Sequence, residues 1–171
     1  MGTLADWQIH ERCIAGMVTP YDPALLNPAS LDLRLGSNIM IESAENPEMV
    51  LVSIAKYTEK NPYPIIPGQF FLAETEELFN IPNDLEGQFI LKSSRARSGL
   101  QHLMAGFCDP GWHGSRLTLE LKNVRQLWSI GIYPGIKIGQ MKFSTMDAEP
   151  IESYAITGRY NNDANVTPSK G

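Results

Sequence analysis

The feature that most limits how this chain can fold is the alternation of apolar and polar residues in short bursts, each closed by a turn signal. In "SLDLRLG" (30–36) Leu31, Leu33 and Leu35 alternate with Asp32 and Arg34, and "IKIGQMKF" (136–143) repeats the period of two. That period puts one set of side chains on a buried face and the other on a solvated one, as in a half-buried strand. Further strand-like runs lie near 49–54, 69–74, 87–92, 117–122 and 128–133, parted by Pro, Gly and Asn signals such as "IPND" and "YPGI". Many short strands at this spacing predict a mainly β domain, a sandwich or a distorted barrel. None of the twelve prolines falls in the centre of a predicted strand, as a hydrogen-bonded ladder requires.

The opening stretch "TLADWQIHERCIAGM" reads differently. Leu4, Trp7 and Ile14 share one helical face, Thr3 and Asp6 stand in capping-box spacing, and Gly16 offers a stop, which predicts a short amphipathic helix with Ile9 off the stripe. At 171 residues the chain suits a single domain with a real core. A formal charge of −5 argues against a broad surface for nucleic-acid polymers or membranes. Only Cys13 and Cys108 occur, without paired spacing, so neither a disulfide framework nor a structural zinc site is expected, and a reducing, cytoplasmic setting fits. No apolar run approaches the roughly 18 residues that span a bilayer, and the N-terminus lacks the apolar core of a signal peptide.

Charge is unevenly spread. Residues 92–125 hold six basic side chains against Asp109 and Glu120, while the remainder has eight against seventeen acidic ones, the pattern of a local anion site. Within it, "KSSRARSGL" (92–100) offers hydroxyls and guanidinium groups that suit phosphate oxygens. The glycine-rich run of a Walker loop is missing, and composition alone leaves a solvated polar turn equally open. "AGFCDPGWHG" (105–114) places Asp109 before a Pro-Gly turn, where capping the turn is the ordinary role and binding a ligand hydroxyl the sharper one. In "LTLELKN" (117–123) Leu117, Leu119 and Leu121 share one face and Thr118, Glu120 and Lys122 the other, which by pattern makes Glu120 a solvated carboxylate.

These blocks, with "NPASLDLRLG" (27–36), "YPGIKIGQMKF" (133–143) and a weaker "GRYNNDANVTPSK" (158–170), resemble the deoxycytidine triphosphate (dCTP) deaminase family over nearly the whole length. The resemblance implies a distorted β-barrel or jelly-roll-like fold of the dUTPase type with a short N-terminal helix, assembled as a homotrimer. It implies one domain over 1–171, with a flexible segment at about 158–171 closing over the nucleotide. It also implies metal-free hydrolysis of dCTP to dUTP and ammonia. Glu120 matches the proton-moving carboxylate, and Ser93 the serine that helps hold the attacking water. Lys92, Ser94 and Arg97 fall in the phosphate-binding segment, Arg97 also beside the catalytic pair. Asp109 matches the residue binding the deoxyribose 3′-hydroxyl. Thr118 and Leu119 lie where backbone groups read the pyrimidine edge, and Gln140, Tyr154 and Arg159 fall at or near nucleotide contacts. Mg²⁺ is expected only through the nucleotide phosphates. The H-x-E…P-C-x-x-C signature of zinc deaminases is absent, so no zinc is expected.

Two positions depart from the family pattern. Asp163 stands where relatives more often have a glutamine near the terminal phosphates, so a carboxylate there should repel a triphosphate unless Mg²⁺ or Arg159 offsets it. Met104 replaces a common threonine in a neighbourhood associated with feedback by thymidine triphosphate. Three other outcomes stay open on the sequence: a bifunctional enzyme that carries dUTP on to dUMP and pyrophosphate, a dUTPase alone, and a non-catalytic nucleotide-binding module.

Overall fold

The computed structural model describes residues 2–171. In chain order the strands are β1 (Val18–Thr19), β2 (Leu26–Asn27), β3 (Ser30–Ser43), β4 (Asn46–Ser53), β5 (Tyr63–Ile65), β6 (Phe70–Asn80), β7 (Leu85–Leu91), β8 (Leu100–His102), β9 (Phe107–Cys108), β10 (His113–Asn123), β11 (Ile130–Ile132) and β12 (Lys137–Thr145). Three short α-helices, α1 (Asp6–Ile14), α2 (Ser93–Arg97) and α3 (Tyr154–Thr157), and a 3-10 turn at Pro23–Leu25 accompany them.

One curled antiparallel sheet runs β8-β10-β6-β3-β12-β7-β9, with β1, β2 and β4 pairing at its sides, and β5 with β11 forms a separate two-stranded ribbon. The curl comes from β3. Its first half pairs with β12, Leu31 opposite Met141 and Leu33 opposite Gly139, whereas its second half pairs with β6, Ile39 opposite Ala73. The strand changes partner at a register irregularity between Leu35 and Ile39. Gly36 lies there, and a Cβ on it would come within 2.5 Å of Glu74 Cγ. A strand bends most easily where an irregularity loosens the ladder and no side chain obstructs. The result is a curled half-barrel, one of the two architectures that the alternation left open.

The core fills from the predicted faces: Leu31, Leu33, Leu35, Leu119 and Leu121 are buried, joined by Phe71, Phe79 and Phe143. Each such side chain contributes about 1.5–3 kcal/mol relative to exposure. Among the described residues no helix is long and apolar enough to cross a membrane.

Three local readings need correction. Helix α1 buries Ile9 and Cys13 and leaves Trp7 and Ile14 exposed, so the core-facing stripe is the i, i+4 pair that excluded Trp7. Leu4 is buried but precedes the helix, whose N-terminus is closed by Gln8 Oε1 accepting from Ala5 N at 3.0 Å rather than by Thr3. Asp32, on the supposed solvent face of β3, is buried. Pro64 lies in β5 opposite Gly131, a strand outside those predicted, in a ribbon whose strands each have a free edge.

Candidate active site

Strand β10 lies between β6 and β8, so the strand period sends Leu117, Leu119 and Leu121 into the core and turns Thr118 and Glu120 the other way. That second face floors a cavity of about 550 Å³, within the size range of small-molecule sites. Phe70 and Leu72 of β6, Phe107 and Asp109 at the end of β9, Trp112, and Tyr154 of α3 make its walls, and Tyr160, Asp163 and Thr167–Ser169 close it.

The turn carrying Asp109 is fixed from behind. Its carbonyl accepts from Trp112 N at 3.1 Å, and Tyr154 N donates to Pro110 O at 3.1 Å. Gly111 adopts φ +88, a conformation that suits glycine, and a Cβ there would collide with Ser153 Oγ. The C-terminal segment is tied down residue by residue. Trp112 Nε1 and Ser115 Oγ donate to Tyr160 O at 2.9 and 2.8 Å, Arg116 N donates to Asp163 O at 2.9 Å, and Val166 N donates to the buried Glu74 at 2.8 Å. Thr167 N reaches Thr118 Oγ1 at 3.1 Å, so the segment crosses directly above the β10 face.

Glu120 presents a side chain 27% exposed, with Oε2 buried 3.5 Å from His102 Nε2. Burial pushes the Tyr154 phenol above its ordinary range against a backbone hydrogen bond involving Tyr160, and the Asp109 carboxylate adds to the rise. Tyr154 lines the cavity beside Asp109. Burial, aided by Asp109, also pushes the Cys108 thiol far up, which removes it as a nucleophile.

Of the residues singled out from sequence, the cavity brings together Glu120, Asp109, Thr118 and Tyr154. Leu119 is wholly buried on the opposite face. Ser93, Ser94 and Arg97 lie exposed on α2, outside the cavity lining, so one chain does not bring Arg97 beside Glu120. Gln140 accepts from Ser30 Oγ at 2.9 Å, and Arg159 shows its carbonyl to Lys170 Nζ at 2.9 Å. Asp163 is offset by Lys170, whose Nζ contacts both carboxylate oxygens at 2.8 and 2.7 Å, and not by Arg159. Sequence reasoning missed Trp112, Tyr160 and Lys170. The "PGW" turn was a signal for the first, and nothing local marks the other two.

Lys92 is held by Asp32, Nζ to Oδ1 at 2.6 Å, with Lys137 at 3.3 Å from Oδ2 and Asn27 donating at 2.9 Å. Burial raises the Asp32 pKa, but the hydrogen bonds from Lys92, Asn27 and Lys137 outweigh it and hold the carboxyl below its usual range. A depressed folded-state pKa adds stability that is present above the unfolded value and lost as pH falls through the folded one. Resistance to urea should therefore weaken below about pH 4. Asp32→Asn should lose roughly 1–3 kcal/mol at neutral pH and show a shallower acid decline. An acid limb unchanged by that variant would remove Asp32 as its source.

A family model described as dCTP deaminase-like matches residues 3–146. A protein of Mycobacterium marinum named "dCTP deaminase, dUMP-forming" is 35% identical, the match covering 98% of this chain and 94% of the relative. One of Rhodococcus opacus with the same name is 36% identical, over 98% and 95%. Among solved structures, the 2′-deoxycytidine 5′-triphosphate deaminase of Agrobacterium tumefaciens shares the fold with a TM-score of 0.70 at 21% identity. That match covers 85% of this chain and 48% of the solved one. With the carboxylate-floored cavity and the curled sheet that carries it, these matches make the chain a member of the dCTP deaminase-like family.

Proposed function

We propose that this chain hydrolyses dCTP to the uridine nucleotide and ammonia, and that it carries the product on to dUMP and pyrophosphate. The observation that supports this best is Glu120, a carboxylate on the floor of a nucleotide-sized cavity with one oxygen buried and its side chain 27% exposed. Relatives matching 98% of the chain are named for the dUMP-forming reaction.

In the first stage Glu120 takes a proton from water as its oxygen bonds to C4, and delivers it to N3. It then moves the remaining hydroxyl proton to the exocyclic amine, the C4–N bond breaks, ammonia leaves and the C4 carbonyl forms. Water enters and ammonia departs, so the atoms balance. The second stage adds water at the α-phosphorus and breaks the bond to the bridging oxygen. Asp109 binds the sugar 3′-hydroxyl, and the backbone at Thr118 and Leu119 reads the base edge.

The phosphate-binding segment comes from a neighbouring copy. Ser93, Ser94 and Arg97 are exposed and lie off their own chain's cavity, and Leu103, Met104 and Phe107 expose apolar surface around the loop that borders it. Closed rotational assembly as a homotrimer would join that helix to the next chain's cavity. Mg²⁺ arrives on the nucleotide phosphates in this reading, since it is usually held by substrate phosphates rather than by an all-protein cage. The ion would neutralise phosphate charge near Asp163.

Incubation with dCTP, and separately with dUTP, tests the reading by chromatography and ammonia assay. Ammonia, dUMP and pyrophosphate from dCTP are expected. Release of dUTP without dUMP would confine the activity to deamination. dUMP from dUTP alone would make the chain a dUTPase, and no turnover of either would make it a binding module.

A further inference from the structure

Two buried polar side-chain atoms lack a hydrogen-bond partner among the described residues, His102 Nε2 and Glu120 Oε2, and they face each other at 3.5 Å. The His102 side chain is only 6% exposed. It ends β8, where it pairs across the ladder with Leu121, next to the point where Leu103 N donates to Glu120 O at 3.0 Å. The ring is packed on its other sides without using Nε2. Phe89 meets it edge-on, centroids 4.8 Å apart, and the backbone passes so near at Gly106 that a Cβ there would lie 3.2 Å from His102 Cε1.

The buried Nε2 of this ring faces a buried carboxylate oxygen, and each atom lacks another partner among the described residues. We propose that His102 is the positioning residue of the acid. In the tautomer protonated at Nε2 it donates to Glu120 Oε2, which fixes the carboxylate plane and leaves the second oxygen toward the nucleotide. His102 keeps its proton throughout and forms no bond to substrate, so the proton path stays between water, Glu120 and the pyrimidine. Orientation of this kind acts on the chemical step, since a reacting group held in place avoids reorganisation that a free one undergoes.

The kinetic arm of the test rests on the deaminase reading, whereas the spectroscopic arm does not. Imidazole ¹⁵N NMR of the full chain without nucleotide should report His102 as the Nε2–H tautomer, with ring shifts that change in Glu120→Gln while those of His10 and His113 stay. In turnover of dCTP, His102→Gln, whose amide nitrogen can occupy the Nε2 position, should keep kcat within about threefold. His102→Asn and His102→Phe should lower kcat roughly 100-fold at unchanged KM. A ring protonated at Nδ1 alone in the wild-type chain would overturn the proposal, as would equal kcat losses in the Gln, Asn and Phe variants or none in any of them. Wild-type protein that releases no ammonia from dCTP would instead overturn the deaminase reading, and the NMR signature would decide the His102 contact by itself.

Discussion

Glu120→Gln is expected to bind dCTP as the wild-type chain does and to release almost no ammonia from it. The amide has the shape of the carboxylate, so the cavity formed with Thr118, Asp109 and Tyr154 should be unchanged. It can neither take a proton from water nor carry one to N3 and the amine. General acid–base groups contribute about 10²–10⁴-fold, and this residue is asked to act twice in one turnover, so kcat should fall by roughly 10³-fold or more. Calorimetric titration with dCTP and an ammonia-coupled rate measured on the same preparation separate the two effects. A rate within tenfold of wild type would remove Glu120 as the proton carrier. A large loss of binding alongside the rate would make it a substrate contact instead.

The β architecture was legible because alternation survives translation into burial. Leu31, Leu33 and Leu35, and Leu117, Leu119 and Leu121, all face the core, and the period of a strand depends on little else. Helix α1 was less legible. Its stripe was read from the largest side chains, yet Trp7 and Ile14 stand in solvent in the single chain and Ile9 with Cys13 meets the sheet. Asp32 was misplaced because β3 is covered on both faces near Lys92 and Lys137, and alternation cannot report a face closed by distant lysines.

At the site, Glu120, Asp109, Thr118 and Tyr154 were found by family resemblance and converge on one cavity. By pattern alone Glu120 looked like any solvated carboxylate. His102 escaped notice because its tie to Glu120 runs across the β8–β10 ladder, and a register between strands joined by a long connection is not written in either strand. Lys170 escaped for a similar reason: its partner Asp163 meets it through the folded course of the tail, beyond any regular period.

Ser93→Ala and Glu120→Gln should each be inactive alone, and a mixed assembly of the two should recover activity that neither parent has. In one chain Ser93, Ser94 and Arg97 stand off the cavity, while Lys92 is held away by Asp32 at 2.6 Å. If each site joins α2 of one copy to the Glu120 floor of the next, a site is intact wherever a Ser93→Ala chain supplies the floor and a Glu120→Gln chain supplies the helix. Any mixed ring of three contains one such junction, whether the composition is two to one or one to two. Trimers purified through two different tags should therefore show about a third of the wild-type kcat per trimer. A site built within single chains predicts no recovery, because every chain then carries one lesion. Light scattering on the same sample checks the assembly: a monomer with full activity would end the shared-site reading and leave α2 without its proposed role. Recovery near one third would join the basic segment of one copy to the acid of another, which is why neither could be understood from its own surroundings.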